Sequence, residues 1–242
     1  MNERYAILGD IHSNLDAFEA TLDDAKSQNV TRYLCVGDVI GYNADPVPCL
    51  DRIIEMQCTT VLGNHDHYCS SETELDDFHP LAAEVIEWTR KQLSQNHISF
   101  LQDLSLVKRV SGFTLVHSTL DMPEKWGYVF DEFEAAANFS YQSTPLCFHG
   151  HTHVPVVFER QKRVTRSRFT RLDVTAGSHY FINVGSVGQP RDGDPRAAYC
   201  IYDTESRSVE LRRITYDVTK AQEKILKAGL PERLAKRLQF GK

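Results

Sequence analysis

Thr59-Thr60-Val61-Leu62-Gly63-Asn64-His65-Asp66 is an apolar run that ends in an amide, an imidazole and a carboxylate. The run reads as a buried strand, so the polar residues stand at its carboxyl end. Such side chains are poor core material but suit a metal site with an acid beside it. Four other apolar runs end the same way, in Asp10-Ile11-His12, Asp38, His117 and His151-Thr152-His153. It is this recurrence that gives the tetrapeptide its weight.

Outward from that stretch, strand and helix patterns alternate. Tyr5 to Gly9 reads as a strand, followed by a helix capped at Ser13-Asn14 with Leu15, Phe18, Leu22 and Ala25 on one face. Tyr33 to Gly37 is the second strand, and Asp45-Pro46 opens a helix with Val47, Leu50, Ile53 and Ile54 on one face. Strands joined by helices of this length imply a parallel sheet, which gathers ligands beyond its strands' carboxyl ends. A loop is expected from Tyr68 to His79, then a helix from Pro80 through Leu93 and a hairpin from Leu104 to Val116 that delivers His117. Trp126, Tyr128 and Phe130 fall in a loop before a helix near Asp131 to Phe139, and packing onto the core is favoured over a lid for these aromatics. Leu146 to His149, Val154 to Phe158, Tyr180 to Val184, Ala197 to Asp203 and Ser208 to Tyr216 read as strands of a first and a second sheet. A helical tail from Val218 to Phe240 breaks near Gly229-Leu230-Pro231.

The 242 residues, 41% hydrophobic, suffice for a large core, and the candidate site argues for a single domain over 1–242. Its pieces run from Asp10 to His153, so no cut between them leaves a complete cluster. A net charge of −6 opposes unspecific attraction to nucleic acid or anionic membrane, so an anionic substrate must be drawn in by local positive charge. The six cysteines include no Cys-x-x-Cys pair and read as buried thiols in a reducing compartment. With no apolar stretch long enough for a leader or membrane span, a cytoplasmic location is expected.

Seven side chains at strand ends offer ligand atoms: Asp10, His12, Asp38, Asn64, His117, His151 and His153. That number exceeds the need of one ion and suits two if a carboxylate bridges. Asp38 is the natural bridge, each oxygen facing a different ion. His151 and His153, two apart at an extended strand end, can each face one ion. Two divalent ions against two anionic ligands leave a net positive site that favours a phosphate oxyanion and a bridging hydroxide. Nitrogen and oxygen ligation without cysteine points to Mn, with Fe or Zn as alternatives. His65 adjoins a ligand without having to be one, and Asp66 is placed to fix its tautomer.

The ordered motifs Gly9-Asp10-x-His12, Gly37-Asp38-x-x-Gly41, Gly63-Asn64-His65-Asp66, His117 and Gly150-His151-x-His153 resemble the calcineurin-like metallophosphoesterase superfamily. The likeness spans about Tyr5 to Pro190 and is nearest the small bacterial and archaeal phosphodiesterase-like branch. It implies an α/β fold, a four-layer α/β/β/α sandwich of two mixed sheets. It also implies a first ion on Asp10, His12, Asp38 and His153, a second on Asp38, Asn64, His117 and His151, and His65 as the catalytic histidine. Gly185-Ser186 and Pro190-Arg191 match a loop near the substrate, which makes Arg191 a substrate-binding candidate.

The expected reaction is attack of a metal-activated hydroxide on a phosphodiester or phosphomonoester, a nucleotide or dinucleoside polyphosphate among the options. His65 would aid the leaving oxygen. A metal-bound scaffold for protein binding is the rival from another class, but it has no need of His65. A nuclease is expected to show a broader basic footprint. Singly, each histidine is more often a hydrogen-bonded core or surface residue. The strand-end pattern reverses that for five of them, but not for His67, His79, His97, His149 or His179. The basic residues Arg160, Lys162, Arg163, Arg166, Arg168 and Arg171 read as a solvated hairpin.

Overall fold

The computed structural model describes residues 3–75 and 80–242. In chain order the elements are β1 (Arg4–Leu8), α1 (Leu15–Ser27), β2 (Arg32–Cys35), α2 (Pro46–Glu55), β3 (Thr59–Thr60), α3 (Asn64–Ser70), α4 (Pro80–Arg90), α5 (Gln95–Gln102), β4 (Val107–Val110) and β5 (Phe113–Val116). There follow α6 (Glu132–Tyr141), β6 (Leu146–His149), β7 (Val156–Arg160), β8 (Val164–Ser167), β9 (Arg171–Asp173), β10 (His179–Asn183), β11 (Ala197–Asp203), β12 (Ser208–Ile214), α7 (Val218–Lys227) and α8 (Glu232–Leu238).

Two six-stranded mixed sheets result, ordered β3-β2-β1-β11-β12-β9 and β4-β5-β6-β10-β7-β8. In the first, β1, β2 and β3 run parallel; in the second, β5, β6 and β10 do. The period-two alternation of a strand buried on both faces places each sheet between two apolar layers. On β1, Tyr5 and Ile7 face the second sheet, while Ala6 and Leu8 face the helices with Phe18, Leu50 and Ile53. On β10, Tyr180 and Ile182 join the layer between the sheets, and Phe181 packs with Phe139 of α6 on the outer side. The expected α/β/β/α sandwich is therefore the observed fold. Among the described residues, no helix is long and apolar enough to cross a membrane.

Several local expectations need correction. The Tyr68 to His79 segment is not all loop: α3 runs to Ser70, with Cys69 buried beneath it, while residues 76–79, including His79, lie outside the described set. The helix from Pro80 stops at Arg90, short of Leu93, and Ser94 starts a separate α5 by accepting a hydrogen bond from the His97 amide. Ile54 is exposed, and Cys49 takes its place on the buried face of α2. The basic run does form an exposed hairpin, β7–β8, but Arg171 crosses to the edge of the other sheet, where β9 pairs with β12.

Candidate active site

Because the parallel strands of both sheets point their carboxyl ends to one edge, the loops after β1, β2, β3, β5 and β6 meet there. Asp10, His12, Asp38, His117, His151 and His153 are all buried, and Asn64 is partly so. Five of the seven adopt a left-handed backbone: Asp10 (φ 51°), His12 (48°), Asp38 (53°), His151 (67°) and His153 (60°). This region costs a residue with a Cβ about 1–2 kcal/mol, so the surrounding contacts over-determine these turns, a pattern that clusters at functional sites. It also corrects the expectation of an extended backbone at His151 and His153. Glycines make the close packing feasible: a Cβ on Gly63 would collide with Asp38, and one on Gly150 with the Asp10 carboxylate.

The side chains form two groups with Asp38 between them. In one, His12 Nε2 lies 3.1 Å from His153 Nε2, which is 3.2 Å from Asp10 Oδ1. In the other, His117 Nε2 lies 3.0 Å from Asn64 Oδ1 and 3.1 Å from His151 Nδ1. Asp38 Oδ2 is 3.5 Å from His12 Nε2 and 3.3 Å from His117 Nε2. One oxygen thus faces both groups, rather than one oxygen facing each, because Oδ1 accepts the His65 backbone N–H at 2.8 Å. Three ring orientations are set by backbone carbonyls opposite the converging nitrogens: Ile40 for His12, Val36 for His117 and Gln189 for His153. This carbonyl-to-imidazole arrangement is how metal-binding histidines are oriented.

Burial holds the pKa values of His12 and His153 well below the ordinary range and takes His151 to about 3, so these rings are neutral. Burial also disfavours charge on His117, but Asp38 outweighs it and lifts that ring to about 9. Burial works against ionisation of Asp38 too, yet His117 and His65 hold it well below the carboxylate range. Neutral nitrogens and an ionised central carboxylate are the protonation states a divalent cation requires, with one proton to displace at His117. Atoms of Asp10, His12 and His153 lie within 4.8 Å of one another, as do those of Asp38, His117 and His151, and those of His12, Asp38 and His65. His151 Nε2 is buried without a partner. The donor set and its packing fit divalent cations.

His65 is buried, edge-on to His12 and 4.3 Å from the Tyr42 ring, between centroids. Its Nδ1 has no hydrogen-bond partner. Asp66 therefore does not fix its tautomer, as the adjacency suggested. Its carboxylate instead accepts the backbone N–H groups of Val39 (2.9 Å), Ile40 (3.2 Å) and Gly63 (3.2 Å), tying the Asp38 loop to the Asn64 turn. The Gly185–Arg191 loop is a brace as well. Ser186 Oγ donates to the Asp10 carbonyl, and the Gln189 carbonyl holds His153. Arg191 Nη2 donates to Gln189 Oε1, and its guanidinium lies over Tyr42.

Neither Tyr42 nor Gln189 is marked by any sequence motif, although the left-handed Gly41 and Tyr42 (φ 98° and 59°) continue the Asp38 motif. The 126–130 aromatics are not core. Tyr128 and Phe130 are half exposed and stack on one another, and Tyr128 stacks on His151 with centroids 4.2 Å apart. Trp126 approaches His117 and His67. His149 is buried against Phe181, and His97 pairs with Asp51.

Against this geometry, residues 4–207 match the model of the calcineurin-like phosphoesterase superfamily domain. The crystal structure of a metallophosphoesterase from Sphaerobacter thermophilus is similar with TM-score 0.91 and 37% identity, over 100% of each chain. A hypothetical protein from Pyrococcus horikoshii shares the fold with TM-score 0.78 at 17% identity, over 99% of this chain and 98% of that one. An uncharacterized protein of Methanocaldococcus jannaschii is 37% identical over 241 residues, 98% of each chain.

Proposed function

The chain belongs to the calcineurin-like phosphoesterase superfamily, and we propose that as a single domain it hydrolyses a small phosphodiester or phosphomonoester with two divalent cations, manganese first among the candidates. The observation that carries this reading is Asp38 Oδ2 lying within 3.5 Å of both His12 and His117, with a ligand group on either side. Asp10, His12, Asp38 and His153 would hold one ion, and Asp38, Asn64, His117 and His151 the other. When bound, such ions supply Lewis-acid stabilisation of phosphoryl oxygens and a water acidified enough to attack at neutral pH.

The chain's own groups do the rest. With Nδ1 of His65 buried against Gly41, where a Cβ would overlap it, Nε2 is the nitrogen left to face a substrate. It would hand a proton to the leaving oxygen as the ester bond breaks. Burial lowers the His65 pKa and Asp38 opposes that, so an arriving phosphate, a further anion, favours the protonated ring. Arg191, beside Tyr42, would hold a phosphoryl oxygen outside the reacting group. Tyr128 shields His151 from water.

The test is hydrolysis of p-nitrophenyl phosphate and bis(p-nitrophenyl) phosphate by the purified protein, before and after chelation and with Mn restored. Activity lost on chelation and regained with Mn supports the reading. No turnover on either ester, or on a nucleotide and dinucleotide panel, by protein containing two ions per chain rules it out.

A further inference from the structure

A cleft of about 470 Å³ adjoins the site, and Tyr42, Arg191, Arg233, Arg237 and Lys242 line it. Tyr42 joins the cleft to the site: its ring is 5.5 Å from Arg191 Cζ and 4.3 Å from the His65 ring. Arg233 and Arg237 are four apart on α8, so their side chains share a helix face.

Among the described residues, cationic side chains predominate in this cleft. Some arginines elsewhere are paired, as in Arg196–Asp194, Arg212–Asp24 and Arg213–Asp192. Among the described residues, Arg191, Arg233, Arg237 and Lys242 form no such ion pair. Arg191 is held by a neutral amide oxygen, and its Nε is buried without a partner. Arg237 Nε donates to the main-chain oxygen of Lys242, a carboxylate oxygen at the last residue of this sequence. Burial first, and then the neighbouring Arg191 and Arg233 against an opposing Tyr42, push the Arg237 pKa down. Like charges four apart on a helix destabilise it, and in a chain of net charge −6 carboxylates are in surplus to neutralise them. Among the described residues no Asp or Glu side chain lines the cleft, which leaves it ready for an anion from outside.

We infer that this cleft is a subsite for a second phosphate group of the substrate, so that the chain prefers small phosphoesters bearing a further phosphate. The inference rests on the phosphoesterase reading above and narrows its substrate class. One phosphate sits at the histidine cluster, and the other is clasped by guanidinium groups beyond Tyr42, where paired donors suit phosphate oxygens. α8 lies beyond the 4–207 span of the family match.

The test uses a matched pair, the p-nitrophenyl ester of thymidine 5′-phosphate with and without a 3′-phosphate, which share one leaving group. The wild type should show a kcat/KM at least about tenfold higher for the doubly phosphorylated ester, the span of one well-made charged contact. Arg233→Gln combined with Arg237→Gln should collapse that ratio toward one, chiefly through KM. In parallel, titration of the purified protein with tripolyphosphate should show at least about tenfold weaker binding by the double variant. The exposed Arg233→Gln alone should give a smaller change of the same sign. An unaltered ratio and unaltered tripolyphosphate affinity overturn the subsite. Should no ester be hydrolysed under any metal condition, the phosphoesterase reading fails, while the titration still decides whether the cleft holds a polyanion.

Discussion

Asp66→Ala separates two roles that adjacency alone confuses. The carboxylate is fully buried and accepts three backbone donors, from Val39, Ile40 and Gly63. Removing it orphans all three in a buried pocket, at about 1–3 kcal/mol each, so even the low end gives a loss of about 3 kcal/mol. For a chain of this size that is a fall in Tm of roughly 6–12 °C. The same bonds hold the loops of Asp38 and Asn64, so metal affinity should fall with stability. The assay is thermal unfolding of wild type and variant with and without Mn, alongside metal content. If Asp66 instead served to orient the His65 ring, the variant would keep its Tm and its ions and lose only turnover. A Tm within 2 °C of wild type together with full metal content refutes the bracing argument.

Other perturbations probe separate parts of the account. His65→Ala should keep both ions yet slow turnover by about 10²- to 10⁴-fold, with a larger loss for an ester of a poor alkoxide leaving group than for a nitrophenolate; equal losses would make the ring a charge stabiliser rather than a proton donor. Arg191→Ala should raise KM while leaving metal content intact, and unchanged kinetics on every substrate turned over would remove it from the site. Asp24 ties α1 to the sheet by accepting from Arg212 and Tyr199, and although burial opposes ionisation, these bonds hold its pKa below the usual range. A depressed acid stabilises above its unfolded pKa, about 3.9, and that gain is lost as pH falls through the lower folded value. Asp24→Asn should therefore lower Tm at pH 7, with the gap to wild type closing in acid; a gap that does not change with pH would contradict the ion-pair origin.

The parallel strand–helix units were legible because each strand's apolar run stops at a polar terminus, as in Leu8-Gly9-Asp10 and Phe148-His149-Gly150, and because the helices of the first half carry clear 3.6-residue faces, while the four-layer sandwich followed from the family resemblance. The candidate ligands were legible for the same reason, being polar residues where a strand pattern forbids them. What escaped the sequence was set by contacts distant along the chain. The role of Asp66 depends on amides more than 25 residues away in sequence, which no local pattern reports. That a single Asp38 oxygen faces both ligand groups depends on a hydrogen bond from the His65 backbone to the other. The exposed placement of Tyr128 and Phe130 follows from the loop ending against His151, which aromatic composition alone misassigns to a core. The basic cleft joins Arg191, which a motif marks, to Arg233 of α8 42 positions on, which none does.

The central claim, that Asp38 would serve two ions at once, is tested most directly by counting metal per chain after Mn reconstitution in the wild type and in Asp38→Asn. Elemental analysis should return two equivalents for the wild type, and occupancy at both positions should fall in the variant, whereas His12→Ala should empty mainly one. At most one ion in the fully reconstituted wild type, or an Asp38→Asn protein that keeps two, contradicts the bridged centre.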